Sequence, residues 1–469
     1  MFVLESTNSI RKKLLQHMQS NHIIHSQFSE ISGINSGTLS RILQGNKPIS
    51  MSQLVAITAG MGLPEDFFFD DYVEECFSSL ISIRRIRPFI IRCAELNRLD
   101  CVEQIVNRLL DDLSYVSVLF DIAEELFSNN KRLAAGILYR SVREAEKYQH
   151  SERLALCHYR LFLIDLGEDL EENVRAATQF ELYVNRLDEA DQLEALKQLM
   201  HVFGMVHKWA KVDALAKEMH RIATIQYDLQ RRSERSEEVQ KRTERPLYYY
   251  ILYAYLARST ASEECGDYKR ALEFVSLYAG GESWVHERDE EAKRILGQFS
   301  EWAIANTFLY RLMSGEVGVM YEYADYIASH EDEIFIAVRH MVQAANLYGL
   351  NIDGILDRFS AYIPYQSDKT EFGEYKPTIL KESYAQFLSD LAVYRFDASK
   401  GADTAIKLVL EGLNLSIIIN SSKNIITCMT LFEQYRKCAD IEAKEKFKKL
   451  SSEVHRLNAK KSVTLPGSL

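Results

Sequence analysis

The chain has 469 residues and a formal net charge of −11, with 47% hydrophobic residues, 20 glycines and seven prolines. This length leaves room for several domains, and the composition favours a packed, helix-rich protein. No stretch approaches the ~18 uncharged apolar residues of a membrane span. The start, MFVLESTNSIRKK, lacks the apolar region of a signal peptide. We therefore expect a cytoplasmic protein with no membrane partner.

The residues that usually carry chemistry are scattered. Seven cysteines occur without a CxxC pair, which favours reduced, mostly buried thiols over disulfides or zinc. Twelve histidines are dispersed and are expected at the surface. No phosphate-binding, metalloprotease or nucleophile-elbow motif is present. We expect no enzyme, no cofactor and no metal site, and a hydrolase is the weakest alternative.

Residues 25–50, HSQFSEISGINSGTLSRILQGNKPIS, predict a helix-turn-helix. The first helix is expected to turn Phe28 and Ile31 inward. Gly33 then supplies the positive φ that a sharp turn between two helices needs, and Ile34 fills the turn. A small helical adaptor with the same turn chemistry is the alternative.

The second helix of this segment is expected from about Ser36 to Gln44. Asn35 or Ser36 can cap it, and Gly45 ends it. Its core side carries Leu39, Ile42 and Leu43. The residues left outside, which suit entry into a DNA major groove, are Ser36, Thr38, Ser40 and Arg41.

Flanking helices are predicted at residues 9–20, where apolar residues are spaced by four, and at residues 51–59, opened by Ser50. A final turn ends in residues 67–69. Five short helices in about 70 residues resemble the Xre/Cro-type DNA-binding domain of phage and bacterial repressors. The matching positions are Ser26-Gln27, Gly33-Ile34-Asn35, Leu39-Ser40-Arg41-Ile42 and Gly45-Asn46-Lys47.

The resemblance implies phosphate contacts from Gln27, Asn46 and Lys47. It implies base reading by Ser36, Thr38, Ser40 and Arg41. Gly37 stands where many relatives carry a long polar residue that contacts bases, so few direct base contacts are expected. Residues 1–60 hold only five Lys or Arg against Glu5 and Glu30. One such domain should bind weakly, so we expect a homodimer on a two-part, double-stranded DNA operator.

An arginine-rich connector follows at residues 73–100. Residues 84–98 of this connector hold five arginines, at 84, 85, 87, 92 and 98, against Glu95 alone. Three interpretations remain open: a solvated face, extra phosphate contacts beside the DNA-binding domain, or an anchor to the acidic array that follows.

From residue 101 onward, short polar or glycine-containing breaks alternate with alanine-rich helices. The first three breaks lie 37 and 40 residues apart, close to the period of two-helix repeats. Within residues 247–279 the hexad Gly-Asp-Tyr-Lys-Arg-Ala resembles the tetratricopeptide repeat. A degenerate TPR-like array is predicted, and a single large α domain is the alternative. The breaks are Asn130-Lys131, Gly167-Glu168, His207-Lys208, Gly266-Asp267, Gly315-Glu316, Gly349-Leu350 and Lys400-Gly401.

The negative charge is confined to the repeats. Residues 1–100 carry ten basic and ten acidic side chains, whereas residues 101–469 carry 46 and 57. An acidic scaffold repels DNA and favours cationic or neutral peptides. The order of domains resembles the peptide-pheromone receptors of Gram-positive bacteria and their phages, the Rap–Rgg–NprR–PlcR–PrgX group with the phage arbitrium receptors.

In that family the array dimerises and binds a short signalling peptide, often through Asn side chains. Asn306 and Tyr310 share an aromatic helical face, and Arg339, Gln343 and Asn346 form one polar line. These five residues are the candidate peptide contacts. The alternatives are that Asn306 bonds a neighbouring helix and that residues 339–346 form a solvated face.

The sequence therefore predicts an all-α protein: a helix-turn-helix domain at residues 1–72, a connector at 73–100 and a TPR-like α-solenoid at 101–469. We expect a DNA-binding transcriptional regulator controlled by a short signalling peptide. The alternative is a Rap-like interaction scaffold whose array captures another regulatory protein.

Overall fold

A computed structural model describes residues 10–78, 80–232, 243–363, 369–370, 373–374, 377–397 and 401–461. Almost all of its regular structure is helical, which confirms the all-α class. The exception is a two-stranded antiparallel pair, β1 (Lys369–Thr370) and β2 (Gly373–Glu374). None of the helices described here combines the length and the apolar character that crossing a bilayer requires. The first nine residues, on which the expectation of no signal peptide partly rests, lie outside the described ranges.

The chain divides into two compact units, unit 1 of residues 1–164 and unit 2 of residues 165–469. Unit 1 contains α1 (Ile10–Ser20), α2 (His25–Ser32), α3 (Ser36–Leu43), α4 (Met51–Gly60), α5 (Phe69–Phe77), α6 (Ile83–Glu95), α7 (Leu99–Leu109), a 3₁₀ turn (Leu113–Tyr115), α8 (Val116–Ser128), α9 (Arg132–Ala145) and α10 (Glu152–Asp165), whose last residue begins unit 2.

One hydrophobic core runs through unit 1. It extends from Ile10, Leu14 and Met18 on α1 to Cys157 and Leu161 on α10. The spacing of four in α1 therefore predicts its buried side. Helices α1–α5 share this core with the connector and the following helices, so packing does not separate the chain at residues 72 and 100.

Unit 2 is a succession of helices in which neighbours in sequence pack on one another, as α12 on α13, α13 on α14, and α20 on α21. It contains α11 (Leu170–Glu181), α12 (Glu189–Met205), α13 (Trp209–Arg232), α14 (Leu247–Glu264), α15 (Tyr268–Ala279), α16 (Glu290–Met313), α17 (Met320–Ile327), α18 (Glu331–Tyr348), α19 (Asp353–Arg358), α20 (Pro377–Asp397), α21 (Ala402–Ile418), α22 (Ser422–Gln434) and α23 (Ile441–Lys461), with 3₁₀ turns at Val184–Arg186, Gly280–Ser283, Val317–Val319, Ser360–Tyr362 and Arg436–Cys438.

The start of unit 2 contacts the turn between α21 and α22. The backbone N–H of Leu170, at the start of α11, donates to the carbonyl of Ile419 after α21 at 3.0 Å. Asn420, in the same turn, has a left-handed φ of 53°. Its side-chain amide donates to both carboxylate oxygens of Asp169 at 2.9 and 2.8 Å. The start of α11 is therefore bonded to a turn 251 positions later in the chain.

Six of the seven predicted breaks fall between helices, and Lys400 of the seventh lies outside the described residues. The segment 247–279 forms α14, a turn and α15, with Gly266 at a φ of 78°. The Asp267 side chain accepts from the N–H of Arg270 and caps α15. All seven cysteines are free thiols; five are buried, while Cys265 and Cys438 are exposed. This agrees with the predicted reduced, mostly buried thiols.

Candidate DNA-binding helix and candidate ligand site

The turn between α2 and α3 has the predicted local chemistry. Gly33 adopts a φ of 68°, and Ile34 behind it is buried. Asn35 is the N-cap of α3, and its Oδ1 accepts from the N–H groups of Gly37 at 3.0 Å and Thr38 at 3.3 Å. These bonds satisfy N–H groups that a helix start otherwise leaves without partners. The direction of α3 is therefore fixed locally.

The outer side of α3 carries the predicted base readers. Ser36 and Arg41 are exposed, and Thr38 and Ser40 are half-buried. Arg41 Nε donates to the carbonyl of Gly37, one turn earlier, at 3.3 Å. This single exposed bond folds the guanidinium along α3, and breaking it frees the side chain to reach outward. Arg41 is the only long cationic side chain within α3.

The end of α3 displays the predicted phosphate contacts. The N–H of Asn46 donates to the carbonyl of Arg41 at 2.9 Å, and Gly45 has a φ of 76°. This is the hydrogen-bond pattern of a Schellman motif, which turns the chain sharply. Asn46 is exposed and Lys47 half-buried. Gln27, exposed in the first turn of α2, accepts from the N–H of Ile24 at 3.0 Å, so its amide NH₂ group faces away from that bond.

The prediction that Ile31 points inward is wrong. Ile31 is 56% exposed, whereas Phe28 is fully buried. Helix α4 approaches α2 at Gly60, and a side chain there would meet Phe28 and Ser32. The inner side of α2 is thus set by residues four apart, 28 and 32, and Ile31 turns outward with Ile24, which is 62% exposed.

Arg11, counted by sequence among the cations near DNA, is used inside unit 1. Its guanidinium bonds the two carboxylate oxygens of Glu75 at 2.5 and 2.6 Å. The same group donates to the carbonyls of Ile42 at 2.8 Å and Lys47 at 3.3 Å. Arg11 therefore braces the end of α3 against α5. Lys13 is also paired, with Asp71 at 2.6 Å.

The connector arginines are largely paired within unit 1. Arg92 bonds Glu65 and Glu95, each at 2.5 Å, and Arg98 bonds Asp66, Asp70 and Asp100 at 2.8–3.3 Å. A carboxylate-bound guanidinium offers little to a phosphate. Because these carboxylates all lie within residues 65–100, the two arginines bond the first domain and the connector itself rather than the acidic array.

The other connector arginines follow the same trend. Arg87 pairs with Glu125 at 2.5 Å, and Arg85 is buried with a bond to the carbonyl of Cys76 at 2.9 Å. Arg85 is therefore not on a solvated face, whereas Arg84 and Arg87 are exposed, and the Arg87–Glu125 pair is the one connector-arginine contact described here that fits an anchor to the array.

In the described part of the chain, one group of side chains has a geometry that could hold a metal ion: Asp70, Asp100 and Cys101. The guanidinium of Arg98 lies among them and bonds both carboxylates. Its nearest contact to the Cys101 Sγ is 3.3 Å. Arg98 itself is the cation of this cluster.

In unit 2, Asn306 and Tyr310 bond neighbouring helices. Asn306 Nδ2 on α16 donates to the Tyr278 hydroxyl on α15 at 2.9 Å. The hydroxyls of Tyr310 and Ser259, on α16 and α14, lie 3.2 Å apart. Tyr310 is 2% exposed, and burial raises its pKa far above the ordinary value. Asn306 therefore bonds a neighbouring helix, which was the alternative to its predicted role as a peptide contact. Tyr310 is inaccessible in this conformation.

The polar line of α18 bonds α20. Gln343 Nε2 donates to Asp390 Oδ2 at 2.9 Å, and Asn346 Nδ2 donates to the Asp390 carbonyl at 2.8 Å. The solvated face proposed as the alternative is therefore wrong. Asn346 Oδ1 is buried and accepts from no group among the described residues. A buried acceptor without a donor is costly, so it marks a place where a donor would bind.

Arg339 and His340 determine the charge state around Glu263. His340 Nδ1 donates to the carbonyl of Ile336 at 2.8 Å, and Nε2 faces Arg339 Nη2 at 3.1 Å. Arginine only donates, so Nε2 is the acceptor and the ring is neutral. Burial, and then the Arg339 charge, lower the pKa of His340 to about 3. The expectation that histidines lie at the surface is wrong for His340, which fills an inter-helix contact.

Glu263 Oε1 lies 3.9 Å from this neutral ring. A neutral imidazole cannot form an ion pair, and burial raises the pKa of Glu263 to about 8. Burial also raises the pKa of Glu333 on α18 to about 7 and shifts that of Asp390 upward. Burial therefore disfavours the ionised form of three carboxyl groups in this region.

A further set of side chains surrounds His207, in the turn between α12 and α13. His207 Nε2 lies 3.2 Å from Glu382 Oε1 on α20 and 3.0 Å from Lys423 Nζ on α22. One ring nitrogen cannot donate to the carboxylate and accept from the ammonium at once, so the bonds compete. Asn424 Nδ2 also contacts Glu382, at 3.3 Å. The positive charge of Lys423 lowers the pKa of Asp390, against the larger effect of burial.

We call these side chains together the polar network of unit 2. Their bonds join them in four groups: Ser259, Tyr278, Asn306 and Tyr310; Glu263, Arg339 and His340; Gln343, Asn346 and Asp390; and His207, Glu382, Lys423 and Asn424. The charges of Arg339 and Lys423 act on Asp390 across these groups. The sequence points to five members. His340 adjoins Arg339, and no spacing rule connects the others.

A separate open groove of about 460 Å³ runs along the first half of α23. It is lined by Arg436, Ile441 and Phe447 among others. It lies on different residues from the polar network. Comparisons of the chain with protein-family models, curated proteins and solved structures find no match. The functional assignment therefore depends on the residues described above.

Proposed function

We propose that the protein is a DNA-binding transcriptional regulator whose α3 enters the major groove and whose unit 2 binds a short signalling peptide. The observation that carries the proposal is the arrangement of α2, Gly33 and α3. A capped eight-residue helix follows a tight turn and presents polar side chains and one arginine on its outer side. This is the chemistry that helix-turn-helix proteins use.

The available charge supports modest affinity for DNA from one protomer. Arg11, Lys13 and most connector arginines are paired with carboxylates, which leaves Arg41 and Lys47 as the principal cations of the α3 surface. Few neutralised phosphates give weak, salt-sensitive binding. A homodimer reading two half-sites would compensate, because the second contact becomes intramolecular.

The polar network supports the peptide part of the proposal. It contains Glu263 and Asp390, whose pKa values burial raises, and the unused acceptor of Asn346. Such a site has an excess of acceptors, so it favours a peptide that brings donors or a positive charge. Four of the five candidate contacts bond neighbouring helices and Arg339 bonds His340 on its own helix, so a peptide must exchange these bonds for its own.

Two measurements test the proposal. Selection of DNA from a randomised duplex library with the full chain should enrich one sequence with two related half-sites. Isothermal titration with synthetic peptides taken from short reading frames beside the gene should give one stoichiometric binder. That peptide should change the affinity for the selected DNA. Enrichment of no sequence would reject the DNA part, and the absence of any binder would reject the peptide part.

A protein-interaction scaffold is the second candidate, and one observation favours it. Ile24 and Ile31 are large apolar residues exposed in the α2 region, and they lie seven positions apart on the same side. A pull-down from the native host separates the two candidates. A stoichiometric protein partner lost in the Ile31→Ser variant, together with no DNA selection, would favour the scaffold.

A further inference from the structure

A small set of contacts, which we call the clasp, joins the start of unit 2 to residues far away in sequence. Its first side is the start of α11, and its second side is the turn from α21 to α22 together with the first part of α20. The pairs are Glu168 with Lys381, Asp169 with Asn420, Leu170 with Ile419 and Glu171 with Ser422.

The clasp is small and only partly buried. Leu170, Ile419 and Asn420 are buried, whereas Glu168 and Ser422 are exposed and Lys381 is partly exposed. The exposed contacts each add little net stability, since water competes for the same groups. Asn420 also holds a left-handed φ of 53°, which a residue with a side chain adopts at some cost. The bonds between the buried Asn420 and Asp169 therefore contribute most to the clasp, and the exposed pairs on either side of them open at low cost.

The clasp is directly continuous with the polar network. Ser422 bonds Glu171 at 2.8 Å, and the next two residues of α22, Lys423 and Asn424, bond His207 and Glu382. A shift of the first turn of α22 must therefore break both sets of bonds together. The first side of the clasp also follows α10 immediately, at the point where the chain passes from unit 1 to unit 2.

We propose that the clasp is the gate of unit 2: it opens to expose the polar network, and bonds made to Lys423 and Asn424 inside the array decide whether it closes. The inference rests on the proposed function only in taking the network as the ligand site. The network is self-bonded in the closed array, so a ligand needs an opening to reach it. A segment that joins the two units and is released by the same opening can report occupancy to unit 1.

The test is hydrogen exchange of the full chain, measured by mass spectrometry, in the Asn420→Gly variant. Glycine accepts the left-handed φ but removes both bonds to Asp169. We expect exchange to rise about tenfold in residues 168–173 and, in parallel, in α18 and α20. Exchange in α13, which carries no member of the polar network, should stay unchanged. Asn130→Gly is the matched control, because Asn130 has a φ of 59° in a turn of unit 1.

Two results would overturn the gate. A rise confined to residues 168–173 and 419–424 would make the clasp a local contact. A rise throughout unit 2 would show general destabilisation, and Ser422→Ala, a milder change, should then give the same uniform pattern. No peptide or DNA enters this measurement, so its failure is distinguishable from failure of the proposed function. If exchange rises in parallel in residues 168–173, α18 and α20 but no peptide binds in the titration, the gate is supported and the peptide part of the proposed function is rejected.

Discussion

The guanidinium of Arg11 bonds both carboxylate oxygens of Glu75, at 2.5 and 2.6 Å. It also donates to the carbonyl groups of Ile42, in the last turn of α3, and Lys47, just after that helix. Glu75 is 7% exposed, and its Oε1 also accepts from the N–H of Ile49 at 3.3 Å. The position of the candidate recognition helix is thus tied to α5 through one ion pair.

Glu75→Ala should destabilise unit 1 by about 3 kcal/mol, because it leaves the partly buried Arg11 charge uncompensated. Urea unfolding combined with hydrogen exchange of peptides from α1–α5 measures this loss. Glu74→Ala removes the neighbouring carboxylate, whose pair with Arg108 is largely exposed. It should change stability by less than about 0.5 kcal/mol. Equal losses in the two variants would contradict the structural role of Arg11.

Arg41→Ala should reduce discrimination between selected and random DNA by about 1–3 kcal/mol if the guanidinium bonds a guanine edge. Lys47→Ala should weaken both DNAs alike and flatten the salt dependence by about one unit. Fluorescence anisotropy across a salt series distinguishes the two effects. Arg108→Ala, a basic residue paired with Glu74, is the control and should change neither. An unchanged affinity ratio in Arg41→Ala would mean that α3 does not read bases through this residue.

Glu263 should make unit 2 less stable as the pH rises. Burial raises the pKa of this carboxyl from 4.5 to about 8, so the folded protein holds its proton more tightly than the unfolded chain. The associated stability is present below pH 4.5 and lost as the pH rises towards 8. Relative to wild type, Glu263→Gln should therefore gain on the order of 3 kcal/mol at pH 9 and almost nothing at pH 4.

Urea unfolding of the full chain at several pH values provides the measurement for Glu263. Glu264→Gln is the matched control, because its carboxylate is 26% exposed against 10% for Glu263. A difference between Glu263→Gln and wild type that is independent of pH would show that folding does not raise the pKa of Glu263.

Asn346→Ala should weaken a bound peptide by about 1–3 kcal/mol, since the unused Oδ1 is the acceptor that a peptide donor would take. Peptide-free DNA affinity should stay unchanged, and the peptide dose that switches DNA binding should rise by the factor lost in affinity. Isothermal titration with the binder found above measures the first effect. Asn414→Ala, an exposed residue within α21, controls for helix propensity. Normal peptide affinity in Asn346→Ala would place the ligand elsewhere.

The local chemistry of α2–α4 is readable from sequence because each device lies within four residues. Gly33 requires a positive φ, Asn35 caps the helix that starts beside it, and Ser50 with Gln53 forms a capping box. The prediction for Ile31 fails, because the side of α2 that is buried depends on the approach of Gly60 from another helix. Apolar spacing alone does not fix which neighbouring stripe faces the core.

The candidate ligand site is harder to read, because its contacts join residues that no local pattern relates. His207 meets Lys423 across 216 positions, and Gln343 meets Asp390 across 47. The clasp is a sharper case. Its turn at Asn420 contains neither glycine nor proline, so the sequence offers no break there, and an asparagine provides both the backbone conformation and the contact.

The thiols of the native chain offer a practical means of watching unit 2. Cys265 follows α14 and Cys438 precedes α23, and both are open to solvent, whereas the other five thiols are buried. Paired nitroxide or dye labels on these two positions would report a distance across one unit without any engineered mutation. The same chain that is tested for binding can then be followed spectroscopically as its ligand is added.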